Sequence, residues 1–120
     1  MVSIKIKLLG TPSVKINDEP VAFPFRKAEA LFYYMAVKKQ VSRDELVSLL
    51  WSEMDEENAK KNLRHAMYKL RKTFGLDIII SPQKSNVILN PDIAMEVDLD
   101  IFLHDPTRDI EVYSGEFLQG

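Results

Sequence analysis

The stretch Asn58–Gly75, NAKKNLRHAMYKLRKTFG, decides how the rest of the chain is interpreted. Its apolar residues recur at steps of three and four, which is the spacing of one face of an α-helix. These residues are Ala59, Leu63, Ala66, Met67, Leu70 and Phe74. Gly75 is the residue type that most often ends a helix. The stretch therefore predicts a helix over Asn58–Phe74 with one buried stripe.

The polar side of this helix carries charge of one sign. Between Asn58 and Thr73 six residues are Lys or Arg and none is Asp or Glu. Surface helices ordinarily mix signs, because like charges three or four residues apart destabilise a helix slightly. A polyanionic partner explains the accumulation, since each cation that neutralises a phosphate releases a condensed counterion. The alternative is a solvated basic face that has no partner.

Two shorter helices are predicted upstream of this basic helix. Apolar residues from Ala28 to Ala36 fall at helical spacing, which predicts a helix over Arg26–Lys38. The segment Ser42–Glu45 is a capping box, and it opens a second helix that ends near Trp51. Only Lys39–Val41 remains as the connection between these two helices.

Strand patterns lie on both sides of the helices. Ile4, Ile6 and Leu8 alternate with lysines, and Val14 and Ile16 continue the alternation. A turn over residues 17–20 and a third short strand over residues 21–23 complete a small N-terminal antiparallel sheet.

After the third helix, the apolar runs Ile78–Ile80 and Val87–Leu89 flank the polar loop Ser81–Asn86, which predicts a β-hairpin. The predicted fold is thus α+β. It is a winged helix-turn-helix with an N-terminal antiparallel sheet, three helices and a C-terminal β-hairpin wing.

Candidate DNA contacts follow from this order of elements. The N-terminal part of a recognition helix lies deepest in the major groove, where Arg pairs with guanine and Tyr meets a thymine methyl. We expect four residues to contact base edges, namely Lys61, Arg64, His65 and Tyr68. We expect seven others to contact phosphates, namely Lys39, Arg43, Lys60, Lys69, Arg71, Lys72 and Lys84.

The sequence offers little support for disulfides, catalytic thiols or metal sites. The chain has no Cys, which excludes disulfides and thiolate chemistry and is consistent with a reducing cytosol. His65 and His104 are not at metal-ligand spacing with another His or Cys. The acidic run Glu53–Glu57 lacks the glycine and spacing of a calcium loop and suits a helix N-terminus. Asp98 and Asp100 precede an apolar run and indicate the start of a helix.

No enzymatic motif is present. The sequence contains neither a glycine-rich phosphate loop nor a nucleophile elbow, so we expect no catalytic residue, metal, cofactor or small-molecule substrate. The longest apolar stretch, Ala30–Val37, is too short to cross a bilayer, and the N-terminus shows no export signal. We therefore expect a cytoplasmic protein without a membrane partner.

Charge divides the chain into two parts. Residues 1–90 contain 15 Lys and Arg against 10 Asp and Glu, a net charge of +5, whereas residues 91–120 contain 1 Arg against 8 acidic residues, a net charge of −7. These values sum to the total of −2. Such asymmetry predicts a basic functional part followed by an acidic segment with another purpose.

Several short motifs in order resemble a known family. They are Leu9-Gly10, Arg26-Lys27-Ala28 with Leu31, Val41–Leu46 with Leu50-Trp51, Asn58-Ala59 with Leu63, Leu70-Arg71-Lys72, and Phe74-Gly75. The chain is similar over Ile4–Asn90 to bacterial transcriptional activators of the antibiotic-regulatory-protein (SARP) type, whose DNA-binding part is OmpR/PhoB-like. The resemblance implies that the third helix enters the major groove and that the hairpin contacts backbone or minor groove. It also implies tandem copies on direct repeats of double-stranded DNA.

The resemblance extends to the acidic segment. Val97–Phe102 and Tyr113–Leu118 look like the beginning of the helical transcriptional-activation domain of this family. The expected organisation is a DNA-binding domain at residues 1–92, followed at 93–120 by the start of that domain in a longer protein. An alternative remains open, in which the winged helix is a protein-protein interaction module that contacts RNA polymerase or a regulatory partner.

Overall fold

The computed structural model describes residues 3–98. These residues form two compact units, of which the first combines residues 3–21 with 92–98 and the second is Ala22–Pro91. In chain order the elements are β1 (Ile4–Lys7), β2 (Ser13–Ile16), β3 (Glu19–Pro20), α1 (Arg26–Lys38), β4 (Gln40–Ser42), α2 (Arg43–Leu50), α3 (Glu56–Phe74), β5 (Ile79–Ile80), β6 (Asn86–Leu89) and β7 (Met95–Val97).

The first unit is a four-stranded sheet with strand order β3-β2-β1-β7. β1 is antiparallel to β2, with Ile6 opposite Val14, and parallel to β7. Ile4 and Ile6 are buried whereas the lysines between and after them are exposed. The predicted alternation of β1 is therefore confirmed, because successive side chains of a strand point to opposite faces.

The predicted position of the third strand is wrong. The sequence pattern predicts a turn over residues 17–20 and a strand at Val21–Phe23, but β3 is Glu19–Pro20 and pairs with the end of β2. Asn17 and Asp18 both have positive φ angles, 49° and 70°. Such two-residue turns match the twist of a hairpin and favour Asn and Asp. The return strand therefore begins at Glu19, directly after the shorter turn.

β7 is a strand that the sequence pattern did not predict. It follows the acidic residue Asp92 and pairs with β1 in parallel register, Lys5 opposite Glu96. The carboxylate of Asp98, directly after β7, accepts hydrogen bonds from the backbone N–H groups of Leu8 at 2.7 Å and Leu9 at 3.2 Å. Asp100, the second residue of the predicted helix start, lies outside the described residues. So does the sequence beyond it, to residue 118, in which the beginning of a helical domain is predicted.

Helices α1 and α2 agree with the sequence predictions. α1 has the predicted bounds, and α2 runs to Leu50 with Trp51 as its C-cap. The Ser42 hydroxyl accepts from the backbone N–H of Glu45 at 3.0 Å, which confirms the serine half of the predicted capping box of α2. The carboxylate of Glu45 accepts a hydrogen bond from the Tyr34 hydroxyl of α1, and this bond raises the pKa of Tyr34.

The long basic helix begins earlier than predicted. α3 starts at Glu56, two residues before the predicted Asn58, because Asp55 caps it. The Asp55 carboxylate accepts from the backbone N–H of Asn58 at 3.3 Å and from its side-chain amide at 2.7 Å. These hydrogen bonds lower the pKa of Asp55. The acidic residues at this end thus serve the helix N-terminus, as the sequence indicates.

The apolar stripe of α3 forms the core of the second unit. All six predicted residues of the stripe are buried, and Leu63 and Leu70 are fully buried. At the end of α3, the Phe74 ring lies 4.9 Å from the Phe32 ring of α1, centroid to centroid. Phe23 is predicted to lie in a strand, but its ring packs against the same Phe32 ring, with the two centroids 5.8 Å apart. The stripe therefore fixes which side of α3 faces outward.

A three-stranded sheet completes the second unit, with strand order β4-β6-β5. The predicted hairpin is confirmed, because β5 and β6 pair antiparallel with Ile79 opposite Leu89. The segment between α1 and α2, predicted as a bare connection, contains β4. Val41 of β4 pairs with Val87 of β6, and both are buried. The hairpin is thereby attached to the beginning of α2.

Replacing Gly75 with Ala should lower the free energy of unfolding by about 1–2 kcal/mol. Gly75 ends α3 with φ of 69°, and an added Cβ would meet nothing within 4 Å, so the loss comes from backbone conformation alone. Gly75→Asn should lose less, because Asn tolerates this conformation better. Urea unfolding followed by circular dichroism measures the difference. Equal stability of Gly75→Ala and the wild type would contradict a left-handed helix end.

Candidate nucleic-acid interface

The outward side of α3 gathers the predicted base contacts. Lys61, Arg64, His65 and Tyr68 lie at helical steps of three and four, opposite the buried stripe, and all are exposed. Tyr68 is 51% exposed, which is unusual for a large aromatic side chain. Lys72, a predicted phosphate contact, is exposed one turn after Tyr68 on the same face. We call Lys61, Arg64, His65, Tyr68 and Lys72 the basic face of α3.

Lys60 lies beside this face and has an acidic partner. Its ammonium is 2.9 Å from the carboxylate of Glu56, four residues earlier in the helix. The hydrogen bond to Glu56 raises the pKa of Lys60, and Arg64 opposes that change. The charge of Lys60 is therefore partly compensated by a carboxylate within the protein, unlike the charge of Lys72, another predicted phosphate contact.

Arg71 has a structural contact as well as a charge. It is half-buried, and its Nη1 donates a hydrogen bond to the backbone carbonyl of Ile79 at 3.2 Å. This bond connects α3 to β5, the first strand of the hairpin. Lys69 is also half-buried, on the opposite flank of the basic face. These two predicted phosphate contacts therefore border the face and do not lie at its centre.

Two residues of the basic face contact each other. The Lys72 ammonium lies 5.6 Å from the centroid of the Tyr68 ring. This distance is within the range of cation–π attraction, which at exposed sites contributes about 0.5–1 kcal/mol. The contact holds a positive charge over the C-terminal part of the face.

His65 contacts a residue that the sequence did not single out. Its imidazole stacks on the ring of Phe25, with centroids 5.9 Å apart and planes at 7° to each other. Phe25 is half-buried and is the N-cap residue of α1, where its side chain makes no capping hydrogen bond. A residue without a side-chain oxygen is unfavourable at an N-cap. That mismatch is the signal in the sequence that Phe25 has another role.

The hairpin presents the predicted wing residue Lys84. Lys84 is exposed in the loop between β5 and β6. The Ser81 hydroxyl lies within hydrogen-bond distance of two backbone carbonyls, those of Gln83 at 2.8 Å and Asn86 at 2.5 Å, between which its one proton is shared. The Asn86 amide donates to the Gln83 side chain at 3.2 Å. Polar side chains of the loop therefore order it locally.

Arg43 lies at the base of this loop. Its backbone N–H donates to the carbonyl of Ser85 at 2.8 Å, next to the pairing of Ser42 with Asn86. The structure thus brings together two predicted phosphate contacts, Arg43 and the loop of Lys84, that are far apart in sequence. Arg43 is half-buried, and within residues 3–98 its buried Nε has no hydrogen-bond partner.

Lys39, the remaining predicted phosphate contact, is exposed at the C-terminus of α1 with φ of 71°. Its carbonyl accepts from the backbone N–H of Leu89 at 3.4 Å. Lys39 therefore lies beside the β4–β6 pair, at the end of that sheet opposite the loop of Lys84.

Lys27, outside the basic face, has two structural partners. The Lys27 ammonium is 3.2 Å from the Glu53 carboxylate and 5.6 Å from the centroid of the buried Trp51 ring.

The described part of the chain holds no group of three His, Cys, Asp or Glu residues that could bind a metal ion. Within the same residues, no helix is both long enough and apolar enough to cross a bilayer.

The second unit has the defining parts of one class of protein. Three helices, a strand between the first two and a β-hairpin after the third form a winged helix-turn-helix. With the N-terminal sheet, the chain has the α+β fold that the sequence predicts.

A comparison with solved structures agrees with this fold. Mycobacterium tuberculosis EmbR in complex with a low-affinity phosphopeptide matches with a TM-score of 0.72 at 22% sequence identity. The match covers 93% of this chain and 31% of the EmbR chain, so this chain spans less than a third of that protein's length. No protein-family model and no curated protein sequence matches the chain. The similarity is therefore one of fold.

Replacing Arg71 with Ala should lower the free energy of unfolding by about 1.5 kcal/mol, because the Ile79 carbonyl loses a charged donor. Lys61→Ala is the matched control, since it removes the same charge from an exposed site of α3 and should change stability by less than about 0.5 kcal/mol. Chemical denaturation of the three proteins measures both values. Equal stabilities of the two variants would show that the bond between α3 and β5 contributes nothing.

Proposed function

We propose that the chain is the DNA-binding part of a bacterial transcriptional regulator and binds double-stranded DNA in the cytoplasm, with α3 in the major groove. The basic face of α3 is the observation that carries this proposal. It presents Lys61, Arg64 and Lys72 with two aromatic rings, and the carboxylates of α3 are confined to its first turn. A regular helix of this width fits the major groove, and its cations suit the flanking phosphates.

Base recognition is assigned to the exposed centre of the face. Arg64 has the geometry to donate two hydrogen bonds to guanine, and Tyr68 offers a ring for a thymine methyl. Lys61 and His65 lie on the same side of α3 and complete the set. Phosphate contacts are assigned to three residues of α3 that flank these base contacts, namely Lys69, Arg71 and Lys72. Lys60 is assigned there too, with a smaller effect because Glu56 already compensates its charge.

The hairpin is proposed as the wing. Lys84 at its tip is exposed, and the start of α2 with Arg43 is bonded to the same loop. A locally ordered loop loses less conformational entropy on binding than a flexible one. Lys84 is therefore assigned to the DNA backbone or the minor groove. Arg43, bonded to the same loop, and Lys39, at the other end of the β4–β6 pair, are assigned to phosphates.

The family resemblance supports a finer proposal. Activators of the SARP type bind direct repeats as tandem copies and carry a helical transcriptional-activation domain after an OmpR/PhoB-like DNA-binding domain. We propose the same organisation here, but with the DNA-binding domain extended from the expected residues 1–92 to Val97. Because β7 pairs with β1, we place the start of the helical domain after Val97.

A second candidate function is a protein-protein interaction module that contacts RNA polymerase or a regulatory partner. It is favoured by two large apolar side chains outside the basic face, Leu49 at 52% exposure and Met54 at 40%. Single exposed apolar residues are common, however, so this observation weighs less than the basic face.

Selection from a random duplex library should enrich one sequence motif, present as a direct repeat when two copies bind. The affinity of the enriched site should fall with salt, with a slope of log K against log salt of about −6 for the seven assigned phosphate contacts. Filter binding or fluorescence anisotropy at several salt concentrations measures this slope. Weak binding that ignores both sequence and salt would reject DNA recognition and favour the protein-binding module.

Two substitutions separate base contacts from phosphate contacts. Arg64→Ala should relax the preference at one base pair, at a loss of about 1–3 kcal/mol for the enriched site, whereas Lys72→Ala should weaken all duplexes alike and reduce the salt slope by about one. Lys60→Ala is the matched control, because Glu56 already neutralises part of its charge, and its effect should be the smallest. Identical losses on every duplex for Arg64→Ala and Lys72→Ala would contradict the division of roles.

A further inference from the structure

We propose that Phe25 is a positioning residue for base recognition, because it holds the His65 imidazole in a fixed plane on the basic face of α3. The proposal rests on the DNA-binding function proposed above. It assigns a specificity role to the N-cap residue of α1, a helix for which the sequence predicts no part in recognition.

The geometry of the pair is that of aromatic stacking. The two ring centroids are 5.9 Å apart and the planes are parallel within 7°. Offset parallel rings at 4.5–7 Å attract each other beyond the area they bury. His65 is exposed and Phe25 is half-buried, so the pair lies at the surface of the unit and not in its core.

The position of Phe25 is costly for α1, which argues for a role outside that helix. Phe25 is the N-cap with extended backbone, φ −165° and ψ 165°, and its side chain makes no capping bond. Ser, Thr, Asp or Asn at an N-cap would satisfy an amide of the first turn, as Ser42 does for α2. An aromatic ring at Phe25 gives up that stabilisation and gains the contact with His65.

Stacking limits how His65 meets DNA. With one face of the imidazole against Phe25, the ring presents its edge to the groove, where the nitrogens hydrogen-bond. A histidine keeps at least one N–H donor in every protonation state. In the major groove N7 is an acceptor carried by both purines and by neither pyrimidine. Thymine O4 is an acceptor there as well, whereas cytosine presents only a donor, so the expected preference on the contacted strand is for guanine, adenine or thymine over cytosine.

Holding the ring in place also removes a cost of binding. An unsupported histidine would lose rotamer freedom when it met a base, whereas the stacked ring has already lost it. The entropy of one ordered side chain corresponds to a change of about threefold to tenfold in the equilibrium constant. Removing the Phe25 ring should therefore reduce the base preference at this position by this factor without affecting contacts elsewhere.

The test uses the full chain, the duplex enriched by selection, and duplexes with single base-pair changes. Affinities are measured for the wild type, Phe25→Leu, Phe25→Tyr, His65→Ala and the double variant Phe25→Leu/His65→Ala. Phe25→Leu and His65→Ala should lose preference at the same base pair, and Phe25→Tyr should retain it because the ring remains. The double variant should match His65→Ala, since Phe25 acts through His65.

A merely structural role predicts a different pattern. In that case Phe25→Leu lowers affinity for every duplex equally, or adds to the effect of His65→Ala, and either result overturns the proposal. An unchanged base preference at this position in Phe25→Leu or in His65→Ala overturns it as well. If Phe25→Leu fails to fold, Phe25→Met provides a second ring-free variant with the same expected loss.

A spectroscopic readout separates this proposal from the proposed function. In the free protein, NMR should show the His65 ring protons shifted upfield by the Phe25 ring, and the shift should be absent in Phe25→Leu. A missing shift in the wild type overturns the stacking itself, whatever the DNA results. A wild-type chain that shows the shift but selects no duplex rejects the DNA-binding function, and the recognition role of Phe25 is rejected with it.

Discussion

The burial of one stripe of α3 is the constraint on which the second unit depends. Leu63 and Leu70 are fully buried, and the Phe74 ring packs on Phe32 of α1. A helix whose stripe is fixed in this way cannot rotate about its axis, so the orientation of every other side chain follows. The same packing that stabilises the unit therefore points Lys61, Arg64 and Tyr68 away from it. Stability and the candidate interface have one physical origin.

The basic face carries an energetic cost that the stripe outweighs. Like charges at three- and four-residue spacing, such as Lys61 with Arg64, cost about 0.2–0.5 kcal/mol for each pair. Burying a single leucine side chain contributes about 1.5–3 kcal/mol, so two leucines exceed several such pairs. The acidic first turn also helps, since Asp55 caps α3 and Glu56 pairs with Lys60. The helix can thus concentrate positive charge on one side and remain folded.

Neighbouring elements give the cations of this region different properties. Lys60 is paired with a carboxylate, Arg71 is bonded to a carbonyl of β5, and Lys72 lies over the Tyr68 ring. Lysine and arginine residues that look equivalent in the sequence therefore differ in conformational freedom and in how much of their charge is already compensated within the protein. The strand β4 also changes which residues are neighbours, because it joins the hairpin loop to the first residue of α2. A strand of three residues places two distant segments side by side.

The sequence by itself determined the three helices, the hairpin, the buried stripe and the exposed basic residues opposite it. Each is recorded in local periodicity or in a cap such as Ser42 and Gly75, which act within a few residues of the chain. Two features were decided only by tertiary structure: the strands β4 and β7, and the contact of Phe25 with His65. The reason is that short strands and ring contacts depend on partners far away in sequence. Met95–Val97 is a strand because β1 is beside it, and no periodicity over three residues encodes that neighbour.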